Sequence, residues 1–224
     1  MLPVNGLFEP NVAVVVRQIG RRGQPLLEGE INAISRAAPV RRLEFTAGRN
    51  CARAAMAKLG LPPTPIYAGE FREPCWPADT VGSISHCSTY CVAAVARKSG
   101  GHMAIGVDVE EADELDASLV ATICTPNERT RLAQAGLSPL VHAKLLFSIK
   151  ESVFKCQFPV TRAWLEFSDV EVELDLARNS FDAVLLREAG SFPAGKVISG
   201  RMLFASGHVL SSAWLGCASV STLQ

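Results

Sequence analysis

The chain has no CxxC pair, no internal repeat and no low-complexity tract, and its start, without a charged n-region, is not expected to be a secretory leader. Its seven cysteines, at positions 51, 75, 87, 91, 124, 156 and 217, lie scattered in apolar contexts, and the clustered ligand spacing of a zinc site is missing. An odd cysteine count without a signal peptide points to reduced, mostly buried thiols in a cytoplasmic protein. The apolar run Val12–Val16 is far too short to cross a bilayer and reads as a strand. With 22 basic and 22 acidic residues the formal net charge is zero, so a nucleic-acid partner held by bulk charge is not expected. What the chain does have is core material: 48% of its 224 residues are hydrophobic, enough for one domain or two small ones.

Charge is spread unevenly. Residues 1–107 carry 12 basic and 7 acidic side chains, and residues 108–224 carry 10 and 15. A basic first half and an acidic second half suit a phosphate-rich ligand bridging to a metal. They equally suit two domains that attract each other.

Two stretches organise the rest. Ser138–Lys155, SPLVHAKLLFSIKESVFK, opens with a good N-cap in Ser138 and with Pro139 in the first turn, where a missing N–H costs nothing. Pro159 is expected to stop this helix a few residues past Lys155. At roughly 100° per residue, Lys144, Ser148, Glu151 and Lys155 share one stripe, and Leu145, Ile149, Val153 and Cys156 are turned well away from it. Lys150 sits at the flank of the polar stripe. Alone, Glu151 and Lys155 read as an i,i+4 surface ion pair worth about a few tenths of a kcal/mol. Upstream, Ile105, Val107 and Val109 alternate with Gly106, Asp108 and Glu110, the period of a half-buried strand. Asp108 and Glu110 therefore point the same way, roughly 7 Å apart. Such a pair is either a solvated strand edge or the seat of a hard divalent cation such as Mg²⁺, which takes oxygen ligands and often few carboxylates. Glu151 could add a third oxygen.

Elsewhere, Pro39 precedes a helix over about Arg41–Leu59 that ends at Gly60. Arg42, Arg49 and Arg53 share a stripe on it with Arg41 beside them. This is either a solvated face or a phosphate clamp, because guanidinium forks match phosphate oxygens. Residues 61–80 are rich in Pro and Gly and read as an irregular surface loop. Val81–His86 and Cys91–Ala96 read as strands, and a lone histidine such as His86 is by itself a structural residue. The acidic run Glu110–Asp116 reads as a solvated turn in which only Glu110 is functional. Thr125 and Glu128 have capping-box spacing and start a helix to about Ala135. Trp164–Leu174, Ser180–Arg187, Lys196–Ala205 and Val209–Leu215 read as strands, with turns at Arg178-Asn179, Gly190 and Ser206-Gly207. Each half thus supplies strands and a long helix, an α+β class.

GVDVE (106–110), followed about forty residues later by FSIKESVFK (147–155), resembles the two signature motifs of 4′-phosphopantetheinyl transferases. RRLEFTAGRNCAR (41–53), REPCWP (72–77) and GSISHC (82–87) resemble the subgroup typified by the enterobactin-synthase enzyme and its broad-range relatives. The likeness runs from about Arg41 to about Leu215 and includes GRMLFASGHVLSSAWL (200–215). It departs at Ile149, which stands where a small residue is common before KES; this alters packing near the helix centre and leaves the charged set intact.

The resemblance implies two similar α/β subdomains in a pseudo-two-fold arrangement, with the active site in the cleft between them. Divided here, residues 1–107 are the coenzyme A phosphate clamp and residues 108–224 carry the metal and the catalytic helix, with GVDVE close to the junction. It implies transfer of the 4′-phosphopantetheine arm from coenzyme A to a serine of an acyl, aryl or peptidyl carrier protein, in siderophore, polyketide or nonribosomal peptide biosynthesis. 3′,5′-Adenosine bisphosphate leaves. Mg²⁺, or Mn²⁺ in its place, is held by Asp108, Glu110 and Glu151. Arg41, Arg49, Ser85 and His86 reach coenzyme A phosphates, Arg72 the nucleotide, and Lys150 and Lys155 the pyrophosphate. Glu151 takes the serine proton directly or through water, with Lys155, on the same face, as its catalytic companion. Trp76 packs under its loop. A cytoplasmic monomer is expected, with no nucleic-acid or membrane partner. The same carboxylates and arginines would also serve a Mg²⁺-dependent nucleotide phosphohydrolase, or a module that binds coenzyme A or a carrier without chemistry.

Overall fold

In the computed structural model, which describes residues 2–21, 23–132 and 138–216, the first half lays one helix on a small sheet. Its elements are β1 (Ala13–Gln18), α1 (Pro39–Lys58), the two-residue pair β2 (Tyr67–Ala68) and β3 (Pro74–Cys75), β4 (Thr80–His86) and β5 (Tyr90–Arg97). The antiparallel sheet has the order β1-β5-β4. β5 is small and apolar through its centre, so both its faces can be covered closely. Cys91, Ala93 and Val95 meet Cys51, Ala52, Ala55 and Met56 of α1. Val92, Ala94 and Ala96 meet residues of the second half. Gly60 at φ 69 ends α1, letting Gly60 N–H reach the Ala57 carbonyl and Leu61 N–H the Met56 carbonyl, each at 3.0 Å. Glycine takes this left-handed position without a Cβ penalty.

The second half comprises β6 (His102–Glu111), α2 (Val120–Ile123), α3 (Pro126–Arg131), α4 (Pro139–Thr161), β7 (Val170–Asp175), β8 (Ser180–Leu185), β9 (Val197–Ala205) and β10 (His208–Gly216). Its antiparallel sheet has the order β6-β10-β9-β8-β7. Leu145, Ile149, Val153 and Cys156 of α4 are fully buried against residues such as Val172, Ala183 and Ala213. Burying each of the three aliphatic chains contributes about 1.5–3 kcal/mol, and this stripe fixes the rotation of α4 about its axis. The helix also approaches β6 very closely. A Cβ on Gly106 would lie 1.9 Å from the Ser152 carbonyl oxygen and 2.8 Å from Cys156 N, so only glycine permits the observed separation.

Among the described residues no backbone ladder joins the two sheets. β4 runs beside β6 and is tied to it by serines: Ser83 Oγ accepts from Val107 N–H at 3.0 Å, and Ser85 Oγ donates to Asp108 Oδ1 at 2.7 Å. β6 passes unbroken through the expected 107/108 division, and the chain turns before it, at Lys98–Gly101.

Several expected boundaries move. α4 continues through Pro159 to Thr161, because a proline in the last turn forfeits only one backbone donor. Arg162, at φ 56, closes the helix with its N–H on the Phe158 carbonyl at 2.9 Å. Ser138 does not cap; its hydroxyl donates to Glu114 Oε1 at 2.8 Å. The strand expected from Trp164 begins at Val170, since Glu166 and Asp169 cap a short turn at Phe167–Asp169 instead. The Thr125–Glu128 capping box forms, and the expected helix end near Ala135 lies outside the described residues, as does Cys217. Cys51, Cys87, Cys91, Cys124 and Cys156 are buried free thiols, and Cys75 is exposed. No helix among the described residues is long and apolar enough to cross a membrane.

Candidate active site

Between α1 on one side and β6 with α4 on the other lies a cavity of about 790 Å³. Strand alternation turns Asp108 and Glu110 into it, and the stripe opposite the buried face of α4 adds Glu151 and Lys155. Asp108 is nearly fully buried. Its Oδ1 accepts from Ser85 Oγ at 2.7 Å and from Lys155 Nζ at 2.5 Å. Its Oδ2 is buried without a hydrogen-bond partner among the described residues, a costly state that calls for a cation or a donor. Lys155 Nζ also donates to Ser85 Oγ at 3.0 Å and lies 3.6 Å from Glu151 Oε2. Lys144 Nζ lies 3.7 Å from Glu110 Oε2 and 3.0 Å from Asp113 Oδ1.

The electrostatics report a shortage of positive charge. Burial, then the neighbouring Asp108 carboxylate, pushes Glu110 up to about 7. Burial raises Glu151 as well, against the pull of Lys155. Burial alone would lower Lys155, but Asp108 and Glu151 outweigh it and hold the ammonium above its ordinary range. The three carboxylates do not all converge within 4.8 Å of one another; they form an open set around the Lys155 ammonium. All donors are oxygens and one of them is orphaned, which fits a hard divalent ion completed by water or ligand oxygens.

The opposite wall is cationic. Arg49 is 5% exposed; its Nε donates to the Ile66 carbonyl at 2.8 Å, and its guanidinium lies 4.1 Å from the centre of the Phe45 ring. Burial lowers its pKa to about 10, which leaves it charged at neutral pH. Its terminal nitrogens have no protein acceptor among the described residues, so they are free for a ligand oxygen. Arg41 Nη1 contacts Glu44 Oε2 at 3.2 Å and His86 Nε2 at 2.7 Å. A guanidinium can only donate, so His86 is neutral there, with its proton on Nδ1. Burial lowers the His86 pKa, and Arg41 adds to the effect while Glu44 opposes it. Arg72, exposed at φ 67 in the β2–β3 loop, reaches the same cavity.

The structure thus brings together Arg41, Arg49, Arg72, Ser85, His86, Asp108, Glu110, Glu151 and Lys155. It does not bring Lys150, which is a correction to the pyrophosphate role. About 100° round the helix from Glu151, Lys150 Nζ is buried on Glu128 Oε2 at 2.7 Å and on the Ile123 and Phe167 carbonyls at 2.8 and 2.9 Å. Nor do all the α1 arginines face the cavity. Arg53 is paired with buried Glu30 at 2.7 Å, and Arg42 binds the Ala37 and Ser35 carbonyls at 2.9 and 2.6 Å. Trp76 packs over Gly82, away from any ligand role. Sequence reading missed Glu44 and Phe45, whose i,i+3 spacing to Arg41 and i,i+4 spacing to Arg49 were the available signals.

A family model described as the 4′-phosphopantetheinyl transferase N-terminal domain matches residues 29–96, and one described as the 4′-phosphopantetheinyl transferase superfamily matches residues 104–198. The two matches meet across the Lys98–Gly101 turn. The chain is 41% identical over 180 residues to 4′-phosphopantetheinyl transferase Svp of Streptomyces mobaraensis, covering 80% of this chain and 70% of that one. It is 38% identical over 151 residues to 4′-phosphopantetheinyl transferase PptT of Mycobacterium tuberculosis, covering 67% and 66%. Enterobactin synthase component D of Escherichia coli K12 is 42% identical over 117 residues, 51% of this chain and 54% of its own length.

Proposed function

Because the chain belongs to the 4′-phosphopantetheinyl transferase superfamily, we propose that its cleft transfers the 4′-phosphopantetheine arm of coenzyme A to a serine hydroxyl of an apo acyl, aryl or peptidyl carrier protein. The observation that carries this reading is one cavity with guanidinium groups on its α1 wall and a cation-deficient carboxylate set on the other. Arg49, already desolvated and stacked on Phe45, binds a coenzyme A phosphate with little further ordering. Arg41, Ser85 and His86 bind neighbouring phosphate oxygens, and Arg72 binds the nucleotide end. Asp108, Glu110 and Glu151 would hold Mg²⁺, with Mn²⁺ as a substitute, and the ion supplies neutralisation of the charge that develops on the pyrophosphate. Lys155 is held by Asp108 and Glu151 within reach of the same oxygens.

The serine oxygen attacks the β-phosphorus, one O–P bond forms and the phosphoanhydride bond breaks. 3′,5′-Adenosine bisphosphate leaves with the bonding electrons. Glu151, whose raised pKa brings it toward the working range of a base, takes the serine proton directly or through water. Functionally the chain divides near 107/108, phosphate clamp before and metal and catalytic helix after. Zero net charge disfavours a nucleic-acid partner held by bulk charge; the partner assigned here is a carrier protein, met by a monomer in the cytoplasm.

Intact mass spectrometry of apo-carriers incubated with coenzyme A and Mg²⁺ tests this. The expected result is a gain of one phosphopantetheine arm per carrier. Phosphate release from coenzyme A without a carrier would replace the reading by a phosphohydrolase, and binding without any product by a carrier or coenzyme A module.

A further inference from the structure

Behind the cleft, the residues that follow two cleft residues turn away from it. His86 and Glu110 line the cavity, while Cys87 and Glu111 face a separate cluster with His208. Glu111 and His208 are directly opposed in the β6–β10 register, and Cys87 opens the β4–β5 turn. One donor atom from each of the three lies within 4.8 Å of the other two. Cys87 and His208 are buried and Glu111 is half-buried. His208 Nδ1 lies 2.9 Å from the Ser206 carbonyl. A carbonyl can only accept, so Nδ1 carries a proton there and Nε2 is the nitrogen that faces the cluster. A backbone acceptor on the far nitrogen is the usual support of a metal-binding imidazole. Thr89 Oγ1 sits among the three donors, 2.8 Å from His208 Nε2, 3.4 Å from Glu111 Oε1 and 3.5 Å from Cys87 Sγ. Its single proton can serve only one of them; Glu111 Oε1 also accepts from Ser88 N–H at 3.1 Å and from Ser88 Oγ at 2.5 Å, and Cys87 Sγ from Tyr90 N–H at 3.4 Å.

We propose that Cys87, Glu111 and His208 form a second cation site, selective for Zn²⁺ over Mg²⁺, that ties the β4–β5 turn to β6 and β10. One thiolate, one imidazole and one carboxylate are a zinc donor set with a fourth position left open; Mg²⁺ demands six oxygens. Binding exchanges the thiol proton for the ion: Cys87 S–H releases H⁺ as the S–Zn bond forms, with no change of oxidation state. The ligands come from one turn and two strands far apart in the chain, so no spacing rule applied to the sequence could find them.

The test uses the full chain stripped of metal, with Co²⁺ as a spectroscopic probe. One Co²⁺ per chain should bind with a thiolate-to-cobalt charge-transfer band, displaced by Zn²⁺ and not by excess Mg²⁺. Zn²⁺ should also raise Tm. Cys87→Ser should abolish the band, and His208→Gln and Glu111→Gln should each weaken binding by about tenfold or more. Cys75→Ser, which removes the exposed thiol, should leave the band intact. Absence of stoichiometric Co²⁺ binding, a band that survives Cys87→Ser, or one lost with Cys75 would overturn the site. If Cys87→Ser loses its native circular dichroism, Glu111→Gln decides the matter: unchanged affinity in that variant also overturns it.

Discussion

Glu151 and Lys155 lie one turn apart on α4, yet the two side chains serve different needs. Lys155 neutralises the nearly buried Asp108, and Glu151 is left half-buried with its proton held more tightly than usual. Glu151→Gln keeps the size and one oxygen but removes the base. Turnover should fall by roughly a hundredfold or more, while coenzyme A affinity changes little; carrier modification rate against coenzyme A concentration separates the two. Near-normal turnover would pass the base role to Glu110. Glu110 itself makes a pH prediction. Its folded pKa, about 7, lies above the ordinary 4.5, so the stability it contributes is present below 4.5 and lost as pH rises through 7. His86 has the opposite sign: its lowered pKa gives stability present above 6.5 and lost as pH falls through the folded value. In EDTA, Glu110→Gln should therefore gain Tm over the wild type as pH climbs from 4.5 to 7, and Mg²⁺ should close the gap. A gap that ignores both pH and Mg²⁺ would mean that Glu110 is not the strained carboxylate. Asp108 and Glu110 were legible as a pair because strand alternation alone puts them on one face. Glu44 was not, because an acid among four arginines looks like charge balance until its neighbour His86 is brought in from β4.

At the scale of the element, α4 separates two lysines that look alike in the sequence. Lys150→Met leaves Glu128 buried without its partner and should cost about 3–5 kcal/mol of stability, the usual result of halving a buried ion pair. Coenzyme A affinity of the folded protein should not change, which urea melts and calorimetry check together; lost affinity at full folding would return Lys150 to the ligand. Helical rotation correctly divided Leu145, Ile149 and Val153 from Lys144, Glu151 and Lys155. It could not say which flank Lys150 joins, because the answer lies in Glu128 and two carbonyls of other segments. Pro159 misled because a proline in the last turn forfeits one bond while the turn beyond it still closes, with Arg162 N–H on the Phe158 carbonyl. Gly106 gives the complementary test. Gly106→Ala places a methyl against the Ser152 carbonyl, and backbone cannot swing aside. The helix must shift, carrying Glu151 and Lys155 away from Asp108. A loss of about 1–3 kcal/mol or more in stability, with transfer reduced in the fraction still folded, is expected; wild-type stability would show that α4 has room to retreat.

The whole molecule sets one long helix on a three-stranded sheet and another on a five-stranded sheet, and the cavity of the candidate site lies where the two face each other. Strands and one long helix in each half followed from the ordering along the chain, whereas the cleft between the halves followed only from the family resemblance. How the halves meet followed from neither, since Ser83 and Ser85 read as ordinary strand residues. The absence of a shared ladder between β4 and β6 has a consequence for the chain as a covalent object. Only the exposed turn at Lys98–Gly101 makes the polypeptide continuous from one sheet to the next. The contacts across that junction are mostly apolar, Val92, Ala94 and Ala96 against Ile105, Val107 and Val109. Two polypeptides divided between Gly100 and Gly101 and co-expressed should find each other and reconstitute carrier modification. Raised salt discriminates what holds them: apolar burial should let the pair survive it, whereas dissociation would assign the junction to attraction between the basic first half and the acidic second. Reconstituted activity would make this enzyme an obligate pair of parts that happen to be synthesised in one piece.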